Sequence, residues 1–163
     1  MISRKLWREV TRELRARGHG RRESGAFLLA ARDGQPARIV AVAYYDDLDP
    51  DSLTGAISFN TIGYSALADR CSRDGLTVVA DVHTHPGRST RQSTTDRDHP
   101  MVAIAGHIAL IVPQYATRGG ELRRVGVHAF HGADRWTSTT GRAGRHHIRH
   151  ETLLERLRRA RSH

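Results

Sequence analysis

The stretch LTVVADVHTHP (76–86) limits what this chain can fold into more than any other. Its first half is apolar and β-branched, of the length and composition of a buried strand. It runs without a break into His83-Thr84-His85 and a Pro-Gly turn. On a strand, residues i and i+2 project from one face, so His83 and His85 point the same way and Thr84 points opposite. Residues 87–99 contain no apolar side chain, which marks a surface loop. The fold must therefore bury this strand and leave two imidazoles side by side at its C-terminal end.

The neighbouring segments supply the rest of a layered structure. Ser3 can cap a helix in which Leu6, Val10 and Leu14 recur at helical spacing with Trp7 beside them, and Gly18 stops it. AFLLAA (26–31) and ARIVAVAYY (37–45) predict two antiparallel strands joined across RDGQP. The acidic, turn-rich DDLDPDSL (46–53) leads into a short strand AISF (56–59) and a helix over 60–75 that ends at Gly75. MVAIAG (101–106) predicts a short helix. HIALIVP (107–113) and ELRRVGVHAFHG (121–132) predict strands paired across QYATRGG. HETLLERLRRA (150–160) is a candidate amphipathic helix with Leu153, Leu154 and Leu157 on one side. For 163 residues this alternation predicts a single α/β or α+β layered domain. The expected division is a domain over 1–136 and a basic Arg/His-rich tail or helix over 137–163.

Composition narrows the partners. The chain carries 26 Lys+Arg against 17 Asp+Glu, a net charge of +9, and Lys5 is its single lysine. Such a balance favours acidic surfaces, protein or nucleic acid, although arginine, alanine and glycine richness also suits a GC-rich coding sequence. Seven arginines against two glutamates put +5 of that charge in residues 141–163, which reads first as a solvated tail and second as a dock for an acidic partner. No nucleic-acid motif accompanies the charge and aromatics are 6% of the chain, so any nucleic-acid binding is expected to be nonspecific. A single cysteine, Cys71, rules out an internal disulfide and a cysteine-based zinc site. It sits in a helical pattern as a small apolar residue with no base beside it. The charged N-terminus has no signal-like apolar core and no stretch is long enough to span a bilayer. A cytoplasmic protein with no membrane partner is expected.

The chemistry concentrates around the paired histidines. Ten residues separate His85 from Asp96, ample reach to return a carboxylate as a third ligand. His83, His85 and Asp96 with an open fourth position is the arrangement of a catalytic zinc site, one ion per chain, whose water titrates near ~7. Hydrolysis there also needs a base and an oxyanion donor. Glu23, just before the first strand with Gly25 allowing close backbone approach, is the candidate base. Ser93, three residues before Asp96, is the candidate donor to the substrate carbonyl. Asp81 shares the face of His83; it reads first as an ordinary strand carboxylate and second as a partner to an imidazole. His99, His107, His128 and His131 read as ordinary surface or strand residues.

Glu23-Ser-Gly, His83-Thr-His85-Pro86 and Ser93-Thr-Thr-Asp96 together resemble the JAMM (JAB/MPN-type) metalloproteases, in the short prokaryotic style, over residues 20–136. The resemblance implies a mixed β-sheet flanked by helices, related to cytidine deaminases, with a late strand ending near Trp136. It implies zinc on His83, His85 and Asp96, Glu23 as general base and Ser93 as oxyanion stabiliser. The implied reaction is hydrolysis of the isopeptide or linear amide bond after the C-terminal glycine of a ubiquitin-like protein. The implied partners are a ubiquitin-like or sulfur-carrier protein, its conjugates and conjugation-system enzymes. No long insertion of the kind that selects chain linkage in eukaryotic relatives is present. The deaminase motifs H-x-E and P-C-x-x-C are absent, as is H-E-x-x-H. A non-catalytic JAB-fold scaffold for a ubiquitin-like or acidic partner is the alternative, and such scaffolds usually lack ligands that this chain retains.

Overall fold

The first helix begins where the Ser3 hydroxyl accepts the Leu6 N–H at 3.1 Å and ends at Gly18, whose N–H reaches the Leu14 carbonyl at 3.0 Å. The structure, a computed structural model, describes residues 1–34, 37–54, 57–152 and 155. In it α1 (Arg4–Arg17) lays Trp7, Val10 and Leu14 on one face of a sheet. That sheet has six strands: β1 (Gly25–Ala31), β2 (Ile39–Tyr44), β3 (Leu76–Thr84), β4 (Ile108–Val112), β5 (Gly126–Phe130) and β6 (Trp136–Thr140), in the order β2-β1-β3-β4-β5-β6. A four-residue α2 (Tyr45–Leu48) and the helix α3 (Thr61–Asp74) complete the second core, and α4 (Thr94–Asp98) lies in the connection after β3. Asn60 caps α3, and Gly75 ends it in the left-handed region at φ 64°. The mixed sheet with flanking helices is the expected α/β architecture.

Each face of the sheet has its own core. On the α1 side, Leu28, Ala80, Val82, Leu110 and Val112 pack under Val10 and Leu14. On the α3 side, Phe27, Leu29, Tyr45 and Leu67 pack together, and Phe59 stands 5.3 Å from Phe27 between ring centroids. All neighbouring strands are antiparallel except β3 and β4. A parallel pair cannot be closed by a tight turn and needs a long crossover. Here that crossover is residues 85–107, which carries the polar motif, and both strands point their C-terminal ends at it.

Several expectations change. Ile57–Phe59 form no strand; Phe59 is held by its ring against Phe27 and Tyr45 at 5.3 and 5.4 Å, not by a ladder. Residues 101–106 are turns closed by His107 N–H on the Ile104 carbonyl, because so short an apolar run cannot sustain a helical nucleus. The second strand stops at Tyr44 because burial of Tyr45 turns the chain into α2. The strand expected over 121–132 covers Gly126–Phe130, preceded by a 3₁₀ turn at Leu122–Arg124.

The boundary at 136 also moves. Trp136 begins a strand, and β6 pairs with β5 from Phe130↔Trp136 to Gly126↔Thr140. Ile148 joins the core, Ile2 N–H bonds the Arg149 carbonyl at 3.0 Å, and buried Glu151 pairs with Arg38. A threonine-rich edge strand has high β-propensity but no apolar stripe, so it reads as tail. The helix expected over 150–160 lies outside the described residues apart from 150–152 and 155. Among the described residues, no helix is long and apolar enough to cross a membrane.

Candidate metal centre

The centre is built by facing residues of β1 and β3, where Gly25 pairs with His83. A Cβ at Gly25 would fall 2.1 Å from Tyr45 Cε2, so the missing side chain is the space the tyrosine ring fills. The Tyr45 hydroxyl lies 3.4 Å from Asp81 Oδ2. Asp81 is 1% exposed and its Oδ1 stands 2.7 Å from His107 Nε2. The same carboxylate lies 3.7 Å from His83 Nδ1, beyond a hydrogen bond but within strong electrostatic reach. A carboxylate buried in an apolar strand is costly unless partnered, and here Tyr45, His107 and His83 surround it.

His83 and His85 converge as the strand geometry requires. Their Nε2 atoms are 3.0 Å apart; Asp96 Oδ1 is 3.4 Å from His83 Nε2 and Asp96 Oδ2 is 3.2 Å from His85 Nε2. Three donors at ~2.0–2.1 Å from one tetrahedral ion stand about 3.3 Å apart, so this donor set fits a divalent ion of that size. Among the described residues it is the one group of three or more such side chains with ligand atoms within 4.8 Å of one another.

Metal-free, the cluster gathers protons. Burial opposes charge on His83, but Asp81 and Asp96 outweigh it and raise the imidazolium to about 10. Burial likewise opposes charge on Asp96, yet His83 and His85 hold it far below the usual carboxylate range. Burial also opposes charge on Asp81, and His107 with His83 draws it below the ordinary value. Burial, then Asp81, keeps the Tyr45 phenol protonated.

The spacing Ser93-x-x-Asp96 is a capping box. Ser93 Oγ accepts the Asp96 N–H at 3.1 Å while Asp96 Oδ2 accepts the Ser93 N–H at 2.7 Å. Asp96 is thereby held toward the histidines. The Ser93 hydroxyl serves as acceptor in the cap, which leaves its own proton for a ligand in the cleft. Glu23 lines the same cleft of about 210 Å³ with His83, Ser93, Asp96 and Trp136. It is placed there by Ser24, whose N–H reaches Thr84 Oγ1 and whose carbonyl accepts the Thr84 N–H, both at 3.0 Å. Thr84, pointing away from the paired imidazoles, thus ties the segment carrying Glu23 to the strand carrying His83 and His85.

The crossover is fastened at two further points. His85 N–H donates to the Val112 carbonyl and its own carbonyl accepts Tyr115 N–H, each at 2.9 Å. The turn that donates this bond, Gln114–Ala116, is left-handed throughout, with φ of 56°, 51° and 57°. Three non-glycine residues there hold backbone strain. Farther along, His128, 2% exposed, places Nε2 2.8 Å from the Thr90 carbonyl and Nδ1 2.8 Å from Ser138 Oγ. Burial lowers its pKa, so a neutral imidazole donates to Thr90 and accepts from Ser138. Gly126 makes room: a Cβ there would meet the Thr90 oxygen at 2.3 Å.

Of the five residues singled out from the sequence, Glu23, His83, Ser93 and Asp96 line this cleft, and His85 joins them through its contacts with His83 and Asp96. Two histidines read as ordinary are not: His107 secures Asp81 and His128 secures the ligand loop. Asp81 itself takes the role read second, beside the imidazoles. A signal for the pair existed, since a carboxylate inside an apolar strand requires a buried donor and His107 opens the neighbouring apolar strand. Nothing local distinguishes His128.

Comparison with known proteins agrees with the fold. The family of prokaryotic homologues of the JAB domain matches residues 3–125. A probable metalloprotease of Sinorhizobium fredii (strain NBRC 101917 / NGR234), y4jG, is 32% identical over 62 residues, a match spanning 38% of each chain. The solution structure of DSY2949 from Desulfitobacterium hafniense superposes with a TM-score of 0.61 at 17% identity, covering 91% of this chain and 98% of that one. A Salinibacter ruber protein gives 0.55 at 20% identity, covering 85% and 87%. At these identities the two structures speak for the fold alone.

Proposed function

The chain belongs to the family of prokaryotic homologues of the JAB domain, and on that premise we propose that it is a zinc-dependent amide hydrolase. We infer that its substrate is the isopeptide or peptide bond after the C-terminal glycine of a ubiquitin-like or sulfur-carrier protein. The observation that carries the reading is the convergence of the His83, His85 and Asp96 donors at 3.0–3.4 Å with Glu23 and Ser93 on the same cleft.

His83, His85 and Asp96 would hold the zinc, which when bound would supply a Lewis acid for the scissile carbonyl and for the attacking water. Glu23 takes the proton from that water and returns it to the departing amine. The Ser93 hydroxyl donates to the carbonyl oxygen as negative charge develops there. Asp81, with His107 behind it, holds the His83 ring with Nε2 facing the cleft. The narrow cleft, walled by Trp136, Met101 and Ile57, favours a thin extended tail, which supports a glycine-ended substrate.

The test measures zinc per chain by plasma mass spectrometry and cleavage of Gly-terminated ubiquitin-like fusions in parallel. Native protein is expected to hold close to one zinc and His83→Ala almost none. Glu23→Gln is expected to keep its zinc and lose about 10²–10⁴-fold in rate. Zinc-free native protein that still binds a ubiquitin-like partner would establish the scaffold alternative instead, and full activity in Glu23→Gln would remove the assigned base.

A further inference from the structure

A larger groove, of about 500 Å³, lies on the other face of the sheet, between α1 and the loop 116–121. Its size falls in the range of about 300–1,000 Å³ typical of ligand sites, and it shares no residue with the metal cleft. Arg4, Arg8, Arg12 and Arg15 line one side; Gly119 and Gly120 line the other, with His150 at the edge. All four arginines are exposed. Arg4, Arg8 and Arg15 form no ion pair among the described residues, and Arg12 only approaches its own neighbour Glu13, at 3.5 Å. Glu121 on the facing wall does not neutralise them, because Arg123 and Arg124 hold it at 2.6 and 3.4 Å.

We propose that this groove binds an extended acidic peptide segment of a partner protein. Arg4, Arg8 and Arg12 step along α1 by about 6 Å, and alternate side chains along one edge of an extended peptide step by about 6.6 Å. Carboxylates at every second residue therefore meet successive guanidiniums. Gly119 is exposed with nothing within 4 Å of where its Cβ would stand, so its bare backbone lets the chain lie close to the facing wall, while Gly120 packs against Thr11 and closes the groove floor. A single-stranded nucleic acid would need aromatic platforms for its bases as well as charge. The groove's one aromatic ring, Trp7, is 2% exposed, and its indole N–H is given to the Gly120 carbonyl. Because the metal cleft opens on the α3 side, the acidic segment is a tether that holds a substrate or partner while its scissile end reaches the other face.

The test is fluorescence anisotropy of a labelled oligo-glutamate peptide with the full chain, at low and at physiological salt, beside an oligothymidylate of equal charge. Arg4→Gln/Arg8→Gln/Arg12→Gln is expected to weaken peptide binding about tenfold or more. Arg32→Gln/Arg70→Gln/Arg73→Gln, which removes the same charge elsewhere, is expected to change it little. The single reversal Arg8→Glu, with a matching thermal melt, guards against loss of fold. Equal losses in the two triple variants would reduce the effect to net charge and overturn the site. Oligothymidylate binding as tightly as the peptide, with the same dependence on the triple, would overturn the peptide class. Absence of peptide binding at low salt would overturn both. None of these outcomes depends on zinc or on cleavage.

Discussion

The two faces of strand β3 meet opposite solvents within one stretch of chain. Ala80 and Val82 point to α1, into an apolar layer with Val10, Leu14, Leu28 and Leu110. Asp81 and His83 point to α3 and are just as buried, at 1% and 6% exposure. What separates them is partnership. On the apolar side burial alone stabilises, at about 25 cal/mol per Å². On the polar side every buried group is compensated by another, Tyr45 and His107 for Asp81, Asp81 and Asp96 for His83. A strand can thus serve as core and as support for a polar site at once, provided its alternation is kept.

The contrast breaks most sharply when chemistry crosses the strand. Val82→Asp puts an unpartnered charge into the α1 layer and is expected to cost at least about 3 kcal/mol, read as a large drop in the urea midpoint or as insoluble protein. Tolerance of that change would mean the α1 layer is wetter than its packing indicates. Asp81→Asn, one residue away, should leave the fold while lowering zinc affinity about 10–100-fold, measured by chelator competition. A stability loss equal to that of Val82→Asp would show Asp81 to be structural only.

His128→Ala releases the Thr90 carbonyl and is expected to weaken zinc binding by about tenfold, whereas His128→Asn, which retains a donor, should recover part of it. Equal affinities in both variants and the native chain would sever the loop from the site. The last test is with pH. The metal-free His83 pKa is raised from an ordinary 6.5 to about 10, so its stabilising proton is fully in place below 6.5 and is lost as pH climbs through 10. The urea midpoint of metal-free protein should therefore fall across that window. A midpoint that is flat or rising there would contradict the proton shared with Asp81 and Asp96.

Much of this was legible in the sequence because it is local. The β3 run fixes alternation, the H-x-H spacing fixes two rings on one face, and Ser3 and Gly75 mark helix ends by their own chemistry. The capping box that aims Asp96 is likewise four consecutive residues, though its spacing was first read as a ligand and a donor sharing one side of a turn. Less legible were features whose cause lies far along the chain. Phe59 stays out of the sheet because two distant rings claim it, and β6 reads as tail because threonines carry no apolar stripe.

The sequence by itself determined the clustered His-His-Asp donor set, the strand that presents it and the family's architecture, since each follows from residue type and spacing within a short segment. Only the tertiary structure decided which remaining histidines matter. His107 and His128 look alike in sequence to His99 and His131, but the parallel β3–β4 pairing brings His107 under Asp81, and the β5–β6 pairing sets His128 between Ser138 and Thr90. Side-chain roles of that kind depend on which strands become neighbours, and strand neighbours are chosen by the packing of the whole sheet.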